Sequence, residues 1–250
     1  MRFSDKTVLV TGGTRGIGAA CVRAFLDAGA RVSVNGRTEE SVAAAILKYS
    51  AELIPAPGDV STVSGCKAAL ESAIDGLGGL DVLVNNAGIF HKDSIEELDE
   101  LNWDAVMNAN VKSVQFCTKY AIPSLRQSAG NIINIASEAG LNGYPNTSAY
   151  CASKGAVVNL TRSMAMELAP TVRVNAICPG VVETDLSREG FAIDGDADEG
   201  IRQQNNAYPL GRIGTTAQIA AAVLYLASSD ADFISGVALP IEGGATVGKW

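Results

Sequence analysis

Short β-branched runs alternate with longer stretches of helical periodicity along the whole chain, a rhythm that fits βαβ units built on a parallel sheet. Strand-like runs fall at residues 7–11, 31–35, 53–56, 82–85, 131–135, 173–177 and 237–240. They are mostly continuous rather than alternating in apolarity, as strands covered on both faces must be. Apolar residues at three- and four-residue spacing predict helices at 16–28, 39–48, 62–75, 101–124, 148–168 and 216–227. Asp27 to Gly29 and Asp75 to Gly79 supply plausible ends for two of them. No Pro/Ser-rich linker, composition break or repeat divides the chain, so residues 1–250 are expected to form one domain.

A domain of 250 residues buries about 70–75% of the surface of its extended chain, enough for a large core without disulfides or metals. Hydrophobic residues make up 47% of the chain and charged ones 18%, which excludes a disordered or low-complexity polymer. The 19 Lys and Arg against 27 Asp and Glu give a net charge of −8, the wrong sign for a phosphate-backbone binder. Nucleic acid is therefore not expected as a partner. Apolar runs such as 219–227 fall short of the roughly 20 residues needed to span a bilayer. The start moves from a short polar lead into a strand-like run, with no apolar signal region, so a cytoplasmic location without membrane association is expected. Cys21, Cys66, Cys117, Cys151 and Cys178 are odd in number and contain no C-x-x-C pair, which predicts reduced core thiols and no metal site. From 183 to 207 the pattern turns irregular and acidic, with Glu183, Asp185, Glu189, Asp194, Asp196, Asp198 and Glu199 close together. The segment follows a strand end, where ligands bind in open α/β sheets, so a lid over a site is expected rather than a solvated loop.

The first strand runs into T-G-G-T-R-G-I-G, Thr11 to Gly18, and then into helical periodicity. Glycines at such a turn permit tight backbone angles and let a pyrophosphate approach the positive end of the helix. Three residues separate Gly12 from Gly16, which differs from the usual G-x-G-x-x-G dinucleotide turn. Downstream come Asp59-Val60, N-N-A-G from Asn85 to Gly88, Asn110 in N-A-N-V, and Ser137 in I-A-S-E-A-G. Tyr150 and Lys154 in Y-C-A-S-K follow, then Pro179-Gly180 and Thr184. This ordered set resembles the short-chain dehydrogenase/reductase family, in its shorter single-domain branch.

The resemblance implies an α/β fold: a Rossmann-type doubly wound parallel sheet of about seven strands with helices on both faces. It also implies a nicotinamide dinucleotide held by Gly12, Thr14, Arg15, Gly16, Ile17, Gly18, Arg37, Asp59, Val60, Asn86, Ala87, Gly88, Tyr150, Lys154, Pro179, Gly180, Val182 and Thr184. At the end of the second strand, where an acid would accept bonds from the adenosine ribose, the chain has Gly36 followed by Arg37. Arg37 and Arg15 suit a 2′-phosphate, so NADP(H) is expected, with NAD(H) left possible if both are plain surface charges.

Tyr150 and Lys154, four residues apart on a helix, share one face about 6 Å apart. An ammonium beside a phenol favours the phenolate and lowers a pKa that otherwise lies near 10, as a general acid/base at neutral pH requires. By resemblance, Ser137 hydrogen-bonds the substrate oxygen, and Asn110 holds a water that links Lys154 to solvent. Glu138 and Tyr144 are candidate substrate contacts, although Glu138 could equally be a solvated rim charge. His91 is the only histidine, with no obvious acidic partner, and is expected at the surface. The resulting expectation is an NADP-dependent oxidoreductase acting on a small-molecule ketone or secondary alcohol. An NAD-dependent dehydrogenase of a cyclic alcohol or diol and a non-catalytic cofactor sensor are the alternatives. The resemblance further implies a homotetramer assembled through 101–124, 148–168 and 233–244.

Overall fold

The computed structural model describes residues 2–192 and 195–248. Seven parallel strands form one sheet: β1 (Thr7–Val10), β2 (Arg31–Gly36), β3 (Ile54–Pro57), β4 (Val82–Asn85), β5 (Asn131–Ile135), β6 (Arg173–Pro179) and β7 (Ala238–Ile241). Their order is β3-β2-β1-β4-β5-β6-β7, so the winding reverses between β1 and β4. A crevice opens at that reversal, outside the carboxyl ends of the strands. The fold expected from the resemblance is the one observed.

Burial explains the continuous apolar runs. β1, β4 and β5 are buried along their whole length, since helices cover both faces. On one face α3 (Val63–Leu77), α5 (Ser113–Ser128) and α6 (Ser148–Leu168) pack Leu70, Leu125 and Val157 against the sheet. On the other, α1 (Gly16–Asp27), α2 (Glu39–Tyr49) and α9 (Thr216–Ala227) bring in Phe25, Val42 and Ile219. β3 carries Pro55 and Pro57, which an edge strand tolerates because one side needs no donor.

Two expectations are corrected. The helix expected at 101–124 is α4 (Glu100–Met107), a single π-helical turn (Asn108–Lys112) and α5, which continues to Ser128. Hydrophobic spacing is nearly blind to one wide turn. The stretch expected to be irregular at 183–207 is instead largely helical: α7 (Asp185–Phe191) and α8 (Ala197–Asn206). Thr184 caps α7 through a capping box with Ser187, Asp196 caps α8, and Arg188 pairs with Asp198 across the two. Several of the acids read as loop composition are therefore cap and first-turn residues, which favour the positive helix end. Asp194, counted in that acidic run, lies outside the described residues. The cysteines are free as expected, with four buried and Cys151 half-buried.

Candidate active site

At the carboxyl ends of the strands lies a cavity of about 830 Å³. One end is built by the glycine turn. Gly12 and Gly16 adopt positive φ of 59° and 55°, which turn β1 sharply into α1. Arg15 occupies the cap position of α1 without a side-chain cap, and no acid stands in the first turn, so the first N–H groups there remain free for an anion. Gly18 lies behind the turn, not on the cavity wall. A Cβ there would fall 2.2 Å from the Gly12 carbonyl and 2.5 Å from Asn86 Nδ2, so its smallness lets α1 close on the turn.

Buried amides hold this end in shape. Asn86 Nδ2 donates to the carbonyls of Thr11 (2.9 Å) and Gly12 (3.0 Å), joining β4's end to the turn. Asn35 Oδ1 accepts from Gly12 N, while its Nδ2 donates to Ala56 and Gly58. Asn35 is thereby committed inside the protein. Nothing in the alternating run Val32-Ser33-Val34-Asn35 singles out this task, because its partners at Gly12, Ala56 and Gly58 lie 21 to 23 positions away. Thr14, Arg15, Ile17, Arg37, Asp59, Val60, Ala87 and Gly88, all expected cofactor contacts, line this end of the cavity. Arg15 and Arg37 are exposed at its rim. Gly36 leaves the end of β2 without an acid, and a Cβ there would meet Ser41 Oγ at 2.6 Å and Thr14 Cγ2 at 2.8 Å, so a larger residue needs those side-chain ends to shift.

Ser137, Glu138, Tyr144, Tyr150, Lys154, Pro179, Gly180, Val182 and Thr184 line the remainder. Ser137 ends the extended segment after β5 and caps a single 3₁₀ turn through Ala139 N. Its hydroxyl faces the Tyr150 phenol and favours the phenolate, but burial outweighs it and holds Tyr150 up at about 12. The lowering expected from Lys154 is not realised here. Lys154 Nζ donates to the Ile135 carbonyl at 2.9 Å and sits 5.7 Å from the Tyr150 ring centre, while its own burial drops it to about 8. The ammonium is thus spent on the end of β5 and is itself destabilised. Asn110 lies in the π turn, away from the cavity wall, and is fully engaged: Nδ2 donates to Ile89 O and Ser153 Oγ, and Oδ1 accepts from Ile89 N. A π turn of this kind re-aims side chains and often marks a working site.

Glu138 is not a rim charge. It is 7% exposed, accepts from the Tyr208 hydroxyl at 2.6 Å, and is pushed up to about 7, chiefly by burial. Tyr208, Phe90 and Phe191 were missed by sequence reading. Phe90 packs edge-on against Tyr150, with ring centres 5.0 Å apart, and stacks at a tilt on Phe191 of α7. Such contacts join residues 60 to 101 positions apart, and no local pattern announces them. His91 does have an acidic neighbour: its Nε2 lies 2.8 Å from Asp93 Oδ2, outside the main cavity.

The family model described as short chain dehydrogenase matches residues 6–192. The chain belongs to the short-chain dehydrogenase family. It is 37% identical to a meso-2,3-butanediol dehydrogenase of Serratia marcescens, over 98% of this chain and 96% of that protein. It is 39% identical to an L-fucose dehydrogenase of Mus musculus, over 99% and 90%. A solved structure of the Thermoplasma acidophilum aldohexose dehydrogenase in ligand-free form superposes with a TM-score of 0.90 at 33% identity, covering 98% of this chain and 96% of that one. The chain is accordingly an oxidoreductase of this family, whose members use a nicotinamide dinucleotide. The glycine turn, the uncapped α1 and the long cavity fit that group.

Proposed function

We propose that the protein is an NADP(H)-dependent oxidoreductase that interconverts a ketone and a secondary alcohol. The observation that carries the cofactor choice is the end of β2: Gly36 supplies no ribose-binding acid, and Arg37 and Arg15 stand exposed at the same rim. Their guanidiniums would hold the 2′-phosphate, and the free N–H groups of α1 the pyrophosphate. Asp59 and Val60 would border the adenine, and Asn86, Ala87, Gly88, Pro179, Gly180, Val182 and Thr184 the rest of the cofactor. When bound, the nicotinamide donates or accepts the hydride. In reduction, Ser137 and Tyr150 hold the carbonyl oxygen, so that charge building on it meets two hydroxyl donors. Tyr150 Oη then gives its proton to that oxygen; in oxidation it takes the proton back. Lys154 would bind ribose hydroxyls and bias Tyr150 toward the phenolate once its ammonium leaves Ile135. Asn110 keeps the turn at Ile89 and the Ser153 hydroxyl of α6 in place.

The names of the relatives, for butanediol, fucose and aldohexose, support secondary alcohols and polyols as the substrate class. We also propose one catalytic domain and a homotetramer. Fluorescence titration with NADPH and NADH tests the cofactor reading: NADPH should bind more tightly, and Arg37→Ala should weaken it roughly 10- to 100-fold while sparing NADH. Tighter NADH binding, or equal losses, would overturn it.

A further inference from the structure

Glu138 is a buried carboxylate with one oxygen engaged and one idle. Oε1 accepts from Tyr208, whose hydroxyl oxygen also accepts from Val181 N at 2.7 Å. This clasp ties the end of the α7–α8 segment to the ends of β5 and β6, and it uses Oε1 alone. Oε2 is buried and makes no hydrogen bond of normal geometry; the Tyr144 phenol lies close enough to act on the carboxyl, and both residues line the cavity. An unpaired carboxylate oxygen out of reach of water is costly, so a clasp alone gives no reason to keep an acid where an amide would serve. Glu138 adjoins Ser137 in the chain, which sets it about 3.8 Å along the backbone from the residue that receives the reacting oxygen. The wall of the cavity is mixed: Tyr144, Asn146 and Gln204 offer polar groups, and Phe90, Leu186 and Phe191 offer apolar faces. Such a wall suits a small carbon skeleton bearing more than one hydroxyl.

Resting on the oxidoreductase reading above, we propose that Glu138 selects the substrate. Its free Oε2 accepts a hydrogen bond from a hydroxyl carried one or two carbons from the reacting carbon. The substrates are then diols, polyols and the matching hydroxyketones rather than simple alcohols and ketones. A site built to pair a hydroxyl discriminates strongly against the analogue that lacks it, because the buried group is then left alone.

Titration calorimetry on the protein saturated with its preferred oxidised cofactor tests this, comparing trans-cyclohexane-1,2-diol with cyclohexanol. The wild type should prefer the diol roughly 10- to 100-fold, the range of a hydrogen bond to a charged group. Glu138→Leu should bring the ratio near one. Glu138→Gln keeps an acceptor for Tyr208 and removes the charge, so it guards against a folding failure and should show an intermediate ratio. A wild-type ratio near one, or a diol preference that survives in both variants, overturns the proposal. Tighter binding of trans-2-aminocyclohexanol than of the diol overturns the hydroxyl assignment in favour of an amine. Turnover measured on the same samples separates the two readings: a Glu138-dependent diol preference without turnover supports Glu138 and counts against the oxidoreductase reading alone.

Discussion

Glu138 makes the stability of this protein depend on pH in a direction opposite to that of an ordinary salt-bridged acid. Its carboxyl is raised from 4.5 to about 7 by burial, with Glu242 adding repulsion and Tyr208 and Tyr144 opposing it. The phenols of Tyr144, Tyr150 and Tyr208 are all pushed upward and carry no charge in this interval. Between 4.5 and about 7 the folded state holds a proton that the unfolded state releases, so stability falls as pH rises, and the full penalty stands above 7. Glu138→Gln should therefore gain on the wild type between pH 5 and pH 8, by up to about 3 kcal/mol in denaturant unfolding. A difference that stays flat with pH would contradict the burial argument. This residue marks a boundary of sequence reading. Its neighbours Ser137, Tyr150 and Lys154 were singled out by the family motifs in which they stand, and they line the same cavity. The environment of Glu138 was not legible, because it depends on Tyr208, seventy positions away, and on burial that a single charged letter does not reveal.

At the scale of elements, periodicity located every strand, and the long apolar runs followed from helices on both faces. It failed where local spacing says little: the π turn at 108–112 and the acid-rich helices α7 and α8. The latter are short and polar, and their caps draw on the residue types that loops also use. The elements expected to join subunits carry unusual surface. Leu101 on α4 and Met166 on α6 are 79% and 83% exposed, and Phe233 before β7 is fully exposed. Large apolar side chains left this open are ordinary singly, but three on the faces expected to meet argue for cover by other subunits. Sedimentation equilibrium should give the mass of four chains, and Phe233→Asp should shift the population to smaller species. A monomeric wild type would contradict the assembly reading.

For the whole molecule, the reversal of strand order between β1 and β4 decides where the site lies, and the cavity found there joins the glycine turn to the Ser137–Tyr150–Lys154 cluster. Fold and family were legible from the ordered motifs, because most of them stand at strand ends on one edge of the sheet, with Asn110 on the π turn and Tyr150 and Lys154 on α6. What the chain's order alone leaves out is the state of the site: Tyr150 stands near 12 and Lys154 near 8, with the ammonium turned to Ile135. Tyr150 is thus protonated at neutral pH, and its proton is the one proposed to be transferred. Steady-state turnover of Tyr150→Phe, measured beside its NADPH fluorescence titration, tests that step most directly. Turnover should fall on the order of 10² to 10⁴ while NADPH binding stays within a few-fold of the wild type. Near-normal turnover in the variant would contradict the account.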